Sequence, residues 1–420
     1  MHRRDFLLRS GALSVSLAAG CRNASHLKHR SVLRPSLLFT SAGKTCWVDP
    51  LDAQVRPLEF HHPNQATWQP GPMFQDGRRM LVLSMEPRRD GPGRPFDEYY
   101  TQTPTHLWAY DWSTGTLAEL ATQDRMAVFY TPQLLINDRR LLVQVVKGRV
   151  GQVYSMNLDG TEALPFTKAG EGLPYGFSLS PDGGRVAYHI AGPQGYQIWT
   201  CTSEGGDRRL IRAHPDALYF APMWSPDGRW LAYQDCRFRQ DPGHDWSDLW
   251  ISRPDGSEHR RLTERQSLWF AASYGNPGNK GSGSNVPSWT RLGTLLASQR
   301  LPDSKVPWEF QAGRPDTDHF NRDWKPAEAR GGTFLSEIDP LSGKSTALTK
   351  QGDAVWDFRG VESPDGQWVA FCRCGQGDPP SLWVLDRATG TARKLTQGLE
   401  DRGVDHPRWI TLRLPPVFPS

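Results

Sequence analysis

At 420 residues the chain has room for two or three domains, unless a repeat array makes it one. Apolar residues are only 37%, yet aromatics reach 11% with 17 Trp, and 40 Gly and 34 Pro call for many turns. That mix suits numerous short strands and excludes a helical bundle. The net charge is +4, and setting aside Arg3, Arg4, Arg9 and Asp5 of the leader takes 49 basic and 45 acidic side chains to 46 and 44. With no long basic run besides, a nucleic-acid partner is excluded. Nothing after the leader approaches the roughly 20 apolar residues of a spanning helix.

Arg3-Arg4-Asp5-Phe6-Leu7 matches the twin-arginine pattern R-R-x-F-L, and a weakly apolar stretch runs to Ala19. Such a leader is an export signal and stands outside the fold. Leu17-Ala18-Ala19-Gly20-Cys21 resembles a bacterial lipobox with its Leu displaced by one place. Under that reading Cys21 carries lipid and begins the mature protein. Ala18-Ala19-Gly20 suits an ordinary signal-peptidase site equally. Residues 22–34 are basic and polar and read as a tether. The expected location is the periplasm, free or anchored at the envelope through Cys21 alone. The five other cysteines, an odd number, read as small buried hydrophobes whose spacings fit no zinc site.

The body repeats itself. Phe177-Ser178-Leu179-Ser180-Pro181-Asp182-Gly183 leads into Arg185-Val186-Ala187-Tyr188. Met223-Trp224-Ser225-Pro226-Asp227-Gly228 and Val361-Glu362-Ser363-Pro364-Asp365-Gly366 do the same at 230–233 and 368–371. Each reads as strand, tight turn, strand, with Pro setting one backbone angle and Gly supplying a positive φ. A Leu/Ile-Trp pair marks a third strand at 107–108, 198–199, 249–250 and 382–383. A fourth ends in Leu-Thr at 262–263, 348–349 and 395–396. Four short strands in about 40–45 residues are the signature of a propeller blade.

These motifs resemble the WD40-like repeats of the TolB propeller family over nearly all of 35–415. The units near 174, 219 and 357 are clear, and those near 68, 130 and 286 are degenerate. The expected fold is all-β, a single β-propeller of seven four-stranded blades. Residues 36–60 supply three strands of the last blade and 405–412 its first strand, closing the ring; a six-bladed ring with loose ends is the alternative. Closure would remove unpaired edges.

Short turns belong to one face. The insertions 87–105, 237–247, 264–285 and 302–331 all belong to the other, which is therefore the expected functional face. The last insertion groups Asp316, Asp318, His319 and Asp323 as a candidate divalent-metal set, calcium or manganese, although no EF-hand pattern is present. An ordered loop held by Asx turns and Arg–Asp pairs explains the same residues. Trp308, Phe310, Phe320 and Trp324 could stack on sugar rings. Gly281-Ser282-Gly283-Ser284-Asn285 fits neither a P-loop nor a nucleophile elbow. First strands line a propeller channel, which nominates His62, Asp357, Arg359, Glu362, Asp405, His406 and Arg408 as ligand contacts. Asp405 and His406 would form an acid/base pair, with Arg359 or Arg408 holding an anion. The bland account is that they bond one another around a watery channel.

The first functional expectation is a monomeric binding protein of the cell envelope, as the TolB resemblance implies, with an envelope protein or an anionic carbohydrate as partner and no certain cofactor. The alternative is a carbohydrate-active enzyme, lyase-like and metal-dependent, similar in plan to oligogalacturonate lyases; their His-x-His pair is missing here. The propeller half of a prolyl-oligopeptidase-like peptidase is disfavoured, because such proteins carry a further hydrolase domain.

Overall fold

A computed structural model describes residues 32–41, 44–87, 103–123, 127–135, 138–147, 150–192, 195–215, 217–236, 246–268, 270–271, 283–305, 308–310, 322–324, 326–350, 352–376, 378–397, 399 and 403–414. The leader, Cys21, Asp316, Asp318 and His319 lie outside them. The described chain is all-β apart from one 3-10 turn, Pro326–Glu328. No helix among the described residues is long and apolar enough to cross a membrane.

Antiparallel four-stranded meanders follow one another along the chain. Thr67–Met73, Arg79–Met85, Thr105–Asp111 and Thr116–Gln123 form the first. Ala127–Leu135 opens the second, Leu173–Leu179 the third and Leu218–Trp224 the fourth. Ser288–Trp289 opens the next and Val355–Glu362 the one after it. A terminal sheet joins Asp405–Leu414 to Val32–Ser41, Lys44–Val48 and Val55–Pro57. Its register runs antiparallel from Val32 opposite Leu414 to Thr40 opposite Asp405. Val32–Ser41 thus begins inside the stretch read from sequence as tether.

The sheets pack face to face, and each junction has its own apolar core. Leu142, Val153 and Phe166 of the second unit meet Val186, Tyr188 and Ile190 of the third. Trp230, Leu249 and Ile251 meet Leu295, Ala297 and Ile338. The terminal sheet is packed on both sides. Leu38, Ile410 and Leu412 meet Met80, Val82 and Trp108 of the first unit, while Leu37 and Phe39 meet Phe358, Ala370 and Cys372 of the last. Propeller-type packing follows from the two-residue period of each strand, which gives both faces of every sheet apolar side chains.

The repeated motifs have local causes. In each Ser-Pro-Asp-Gly turn the Ser hydroxyl donates to the Asp carboxylate and accepts the N–H of the residue entering the second strand. For Ser225 these distances are 2.6 Å to Asp227 and 3.0 Å from Trp230. Ser180 and Ser363 do the same, and the Gly takes φ near +70°, as at Gly228. The Leu-Thr motif extends the ladder. The hydroxyls of Thr263, Thr349 and Thr396 accept the N–H groups of Leu249, Leu335 and Leu382 at 2.9, 2.9 and 3.0 Å. Ser225→Ala should therefore cost about 1 kcal/mol, the worth of a lost cap of this kind, read as a lowered urea midpoint with unchanged m-value; an unshifted midpoint would make the turn bonds incidental.

Candidate ligand site at the inner strands

The first strands of successive units lie side by side. Thr67–Met73 touches Ala127–Leu135, Leu173–Leu179 touches Leu218–Trp224, and Ser288–Trp289 touches Val355–Glu362. Val355–Glu362 also touches Asp405–Leu414. From that last strand Arg408 reaches back to the carbonyls of Pro70 and Gly71 in the first unit.

Several of these strands bulge at an equivalent place. Pairing slips between Tyr175 and Ser178, Phe220 and Met223, and Phe358 and Val361. Gly176, Ala221 and Arg359 take positive φ there, and so does His406 beside the irregularity in the terminal sheet. A bulge re-aims side chains and frees backbone groups, and a left-handed non-glycine costs about 1–2 kcal/mol. Neighbouring strands and loops take up the freed groups. The Ala221 N–H points at His189 Nδ1 (3.4 Å), and the Arg359 N–H donates to Asn285 Oδ1 (2.7 Å). Trp289 Nε1 donates to the Met223 carbonyl and Trp409 Nε1 to that of Val361, both at 3.0 Å.

At the bulges of the last two first strands, Arg359, Asp405 and His406 converge. Arg359 Nε pairs with Asp405 Oδ1, and both side chains are largely buried. Asp405 also accepts the His406 N–H at 2.8 Å, while His406 Nδ1 stands 3.5 Å from its other oxygen. That separation is long for an N···O hydrogen bond, and the carboxylate is already committed to Arg359. An Asp–His acid/base dyad is therefore not assembled. Crowding first, then Arg359, pushes the imidazole down toward about 4, against the opposing pull of Asp405. Water reaches 47% of the side chain and screens part of that shift. A histidine with a depressed folded pKa favours folding above its unfolded pKa of about 6.5. Its contribution is lost as pH falls through that value toward the folded one. The His406 resonances should accordingly titrate below the ordinary midpoint, and Arg359→Ala should raise that midpoint; an ordinary midpoint in the unaltered protein would show that the crowding is absent.

Other sequence-nominated residues stand elsewhere. Asp357 is fully buried and paired two-pronged with Arg373, at 2.6 and 2.8 Å, so it does not join Arg359. Glu362 accepts the Arg291 N–H at 2.6 Å and faces Arg387, which also pairs with Glu337. It belongs to a network beside the Ser-Pro-Asp-Gly turn and not to the cluster. His62 lies against Trp108, ring centroids 5.0 Å apart. Trp308 lies on a two-stranded ribbon, Trp308–Phe310 with Arg322–Trp324, in which Asp323 stands opposite Glu309. Among the described residues no group of three metal-ligating side chains is present; the rest of the nominated metal set falls outside them. Asn285 and Arg373 were not foreseen. Asn285 sits in a Gly/Ser-rich stretch that reads as a loop, and Arg373 carries no motif.

No family model matches the chain, and no curated protein matches it. Among solved structures, a puromycin hydrolase S511A mutant complexed with PGG aligns at 16% identity with a TM-score of 0.54. The alignment covers 88% of this chain and 53% of the hydrolase, so this chain spans about half the length of that relative. That likeness shows a shared fold. Oligogalacturonate lyase in complex with manganese aligns at 14% identity over 87% of this chain and 85% of the lyase, TM-score 0.49. TolB from Acinetobacter baumannii aligns at 13% over 87% and 78%, TM-score 0.42.

Proposed function

We propose that the chain is an exported, TolB-like β-propeller of seven blades, acting as a binding protein of the cell envelope with its ligand at the inner strands. Support for the ring comes from the terminal sheet, which supplies a four-stranded unit after six others and packs against both the first and the last. Support for export comes from Arg3-Arg4-Asp5-Phe6-Leu7 and Cys21. The observation that carries the binding reading is the convergence of Arg359, Asp405 and His406 from adjacent bulged strands, with Arg408 further along the same strand as the latter two. Bulges beside sites re-aim side chains, and polar groups from separate blades meet at a propeller axis in a way no single sheet achieves.

Replacing Arg3 and Arg4 by lysine should strand the precursor in the cytoplasm, read by cell fractionation with immunoblotting. An envelope pool that survives the change would remove the export half of the proposal. Absence of 235 nm absorbance growth on uronate polymers is expected; its appearance would favour the lyase alternative.

A further inference from the structure

We propose that Arg408 is an anchor for a single carboxylate group on the ligand, an inference that rests on the inner strands being the ligand site. Among the described residues Arg408 differs from its arginine neighbours in one respect. Arg359 is neutralised by Asp405, Arg373 by Asp357, and Arg387 by Glu337 and Glu362. No described carboxylate pairs with Arg408. Its Nη2 donates to the carbonyls of Pro70 and Gly71 at 3.0 and 2.6 Å. A guanidinium carries five N–H donors and accepts nothing, so Nε and Nη1 are left without a described protein partner.

The place is built, not accidental. Gly71 brings its carbonyl in because it has no side chain: a Cβ there would stand 2.7 Å from the Leu81 carbonyl oxygen. Burial pulls the Arg408 pKa down to about 10, with no other charge acting on it, so the cation persists at neutral pH. A partly buried cation without a counter-charge is costly, and an anion that enters relieves that cost. Charge matching selects the anion. No other charge acts on Arg408, which leaves one positive charge. One carboxylate balances it, whereas the doubly charged form of phosphate, or sulfate, leaves an excess negative charge in a partly buried place.

A carboxylate of this kind is borne by an acidic sugar or by a peptide C-terminus. Calorimetric titration of the mature chain with glucuronate, with N-acetyl-alanyl-alanine and with inorganic phosphate separates these. The expected result is saturable binding of one of the two carboxylates, weaker or no binding of phosphate, and affinity unchanged in Arg229→Gln, an exposed turn variant. Arg408→Gln should weaken binding by roughly tenfold or more, as for loss of a charged hydrogen bond, while Arg408→Lys, which keeps the charge, should lose less. On the unaltered protein, which does not depend on how any variant folds, binding should fade as pH rises through about 10. Unchanged affinity in Arg408→Gln, binding that persists well above that pH, or no carboxylate isotherm at all would each overturn the assignment. If no carboxylate binds while a photoactivatable phenylalanine placed at His406 still crosslinks to an envelope component in living cells, the ligand class fails and the binding reading survives.

Discussion

Arg373→Met should cost about 3–5 kcal/mol of stability at pH 7, the usual penalty for removing one partner of a buried pair. Asp357 is wholly buried, and Arg373 grips both of its oxygens from a side chain only 22% exposed. The arginine lies against Phe371 and Trp383, 4.8 Å from the latter's ring centroid, so part of the loss is packing. Burial pushes the Asp357 carboxyl up while the two Arg373 bonds hold it down, with the upward direction winning. Removing the arginine sends it further up. A carboxyl raised in the folded state contributes less stability as pH climbs from the unfolded value through the folded one. The defect should therefore shrink in mildly acidic buffer, and Asp357→Leu combined with Arg373→Met should recover much of it. Urea unfolding at two pH values reads this. A loss below about 1 kcal/mol, the range of a surface ion pair, would mean the pair is no more than that.

Deleting Asp405–Leu414 should abolish cooperative thermal unfolding. The strand brings fully buried Leu412 and nearly buried Ile410 into the core shared with the first unit. It also covers Val32–Ser41 along its length and ties Trp409 to the Val361 carbonyl. Without it, Leu37 and Leu38 keep Lys44–Val48 but lose their other partner strand, and an apolar edge is bared, which is an aggregation hazard. A circular permutant separates strand pairing from chain order. Val32 lies opposite Leu414, so a short linker can join them, with new ends in the exposed turn at Pro254-Asp255-Gly256. That permutant should melt as the parent does. A deletion that melts normally would show that the terminal sheet does not hold the first and last units together.

Repetition made most of the fold legible, because each motif acts within its own turn or ladder rung. Ser-Pro-Asp-Gly closes a hairpin through its own hydroxyl and carboxylate, and Leu-Thr completes a backbone ladder. Even the units near 68 and 130, whose turn motif is degenerate, form four-stranded sheets. The site was legible only in part. Arg359, Asp405, His406 and Arg408 could be nominated from strand entry, yet which of them pair depends on bulges, and nothing in one sequence announces a register slip. Asp357 illustrates the limit: it lies two residues from Arg359, and before the bulge its carboxylate turns instead to Arg373. Glu362, beyond the bulge, goes to the turn-side network for the same reason.

The most direct test of the inner-strand site is photocrosslinking in living cells, with a photoactivatable phenylalanine placed at His406 in one strain and at Leu341 in another. His406 is on the bulged inner strand with nearly half its side chain open, and Leu341 is exposed on a short turn. Envelope adducts that form from position 406, that diminish when Arg408 is also replaced by glutamine, and that are missing from position 341 are the predicted result. Adducts from 341 with none from 406 would place the working surface on the opposite face and contradict the account.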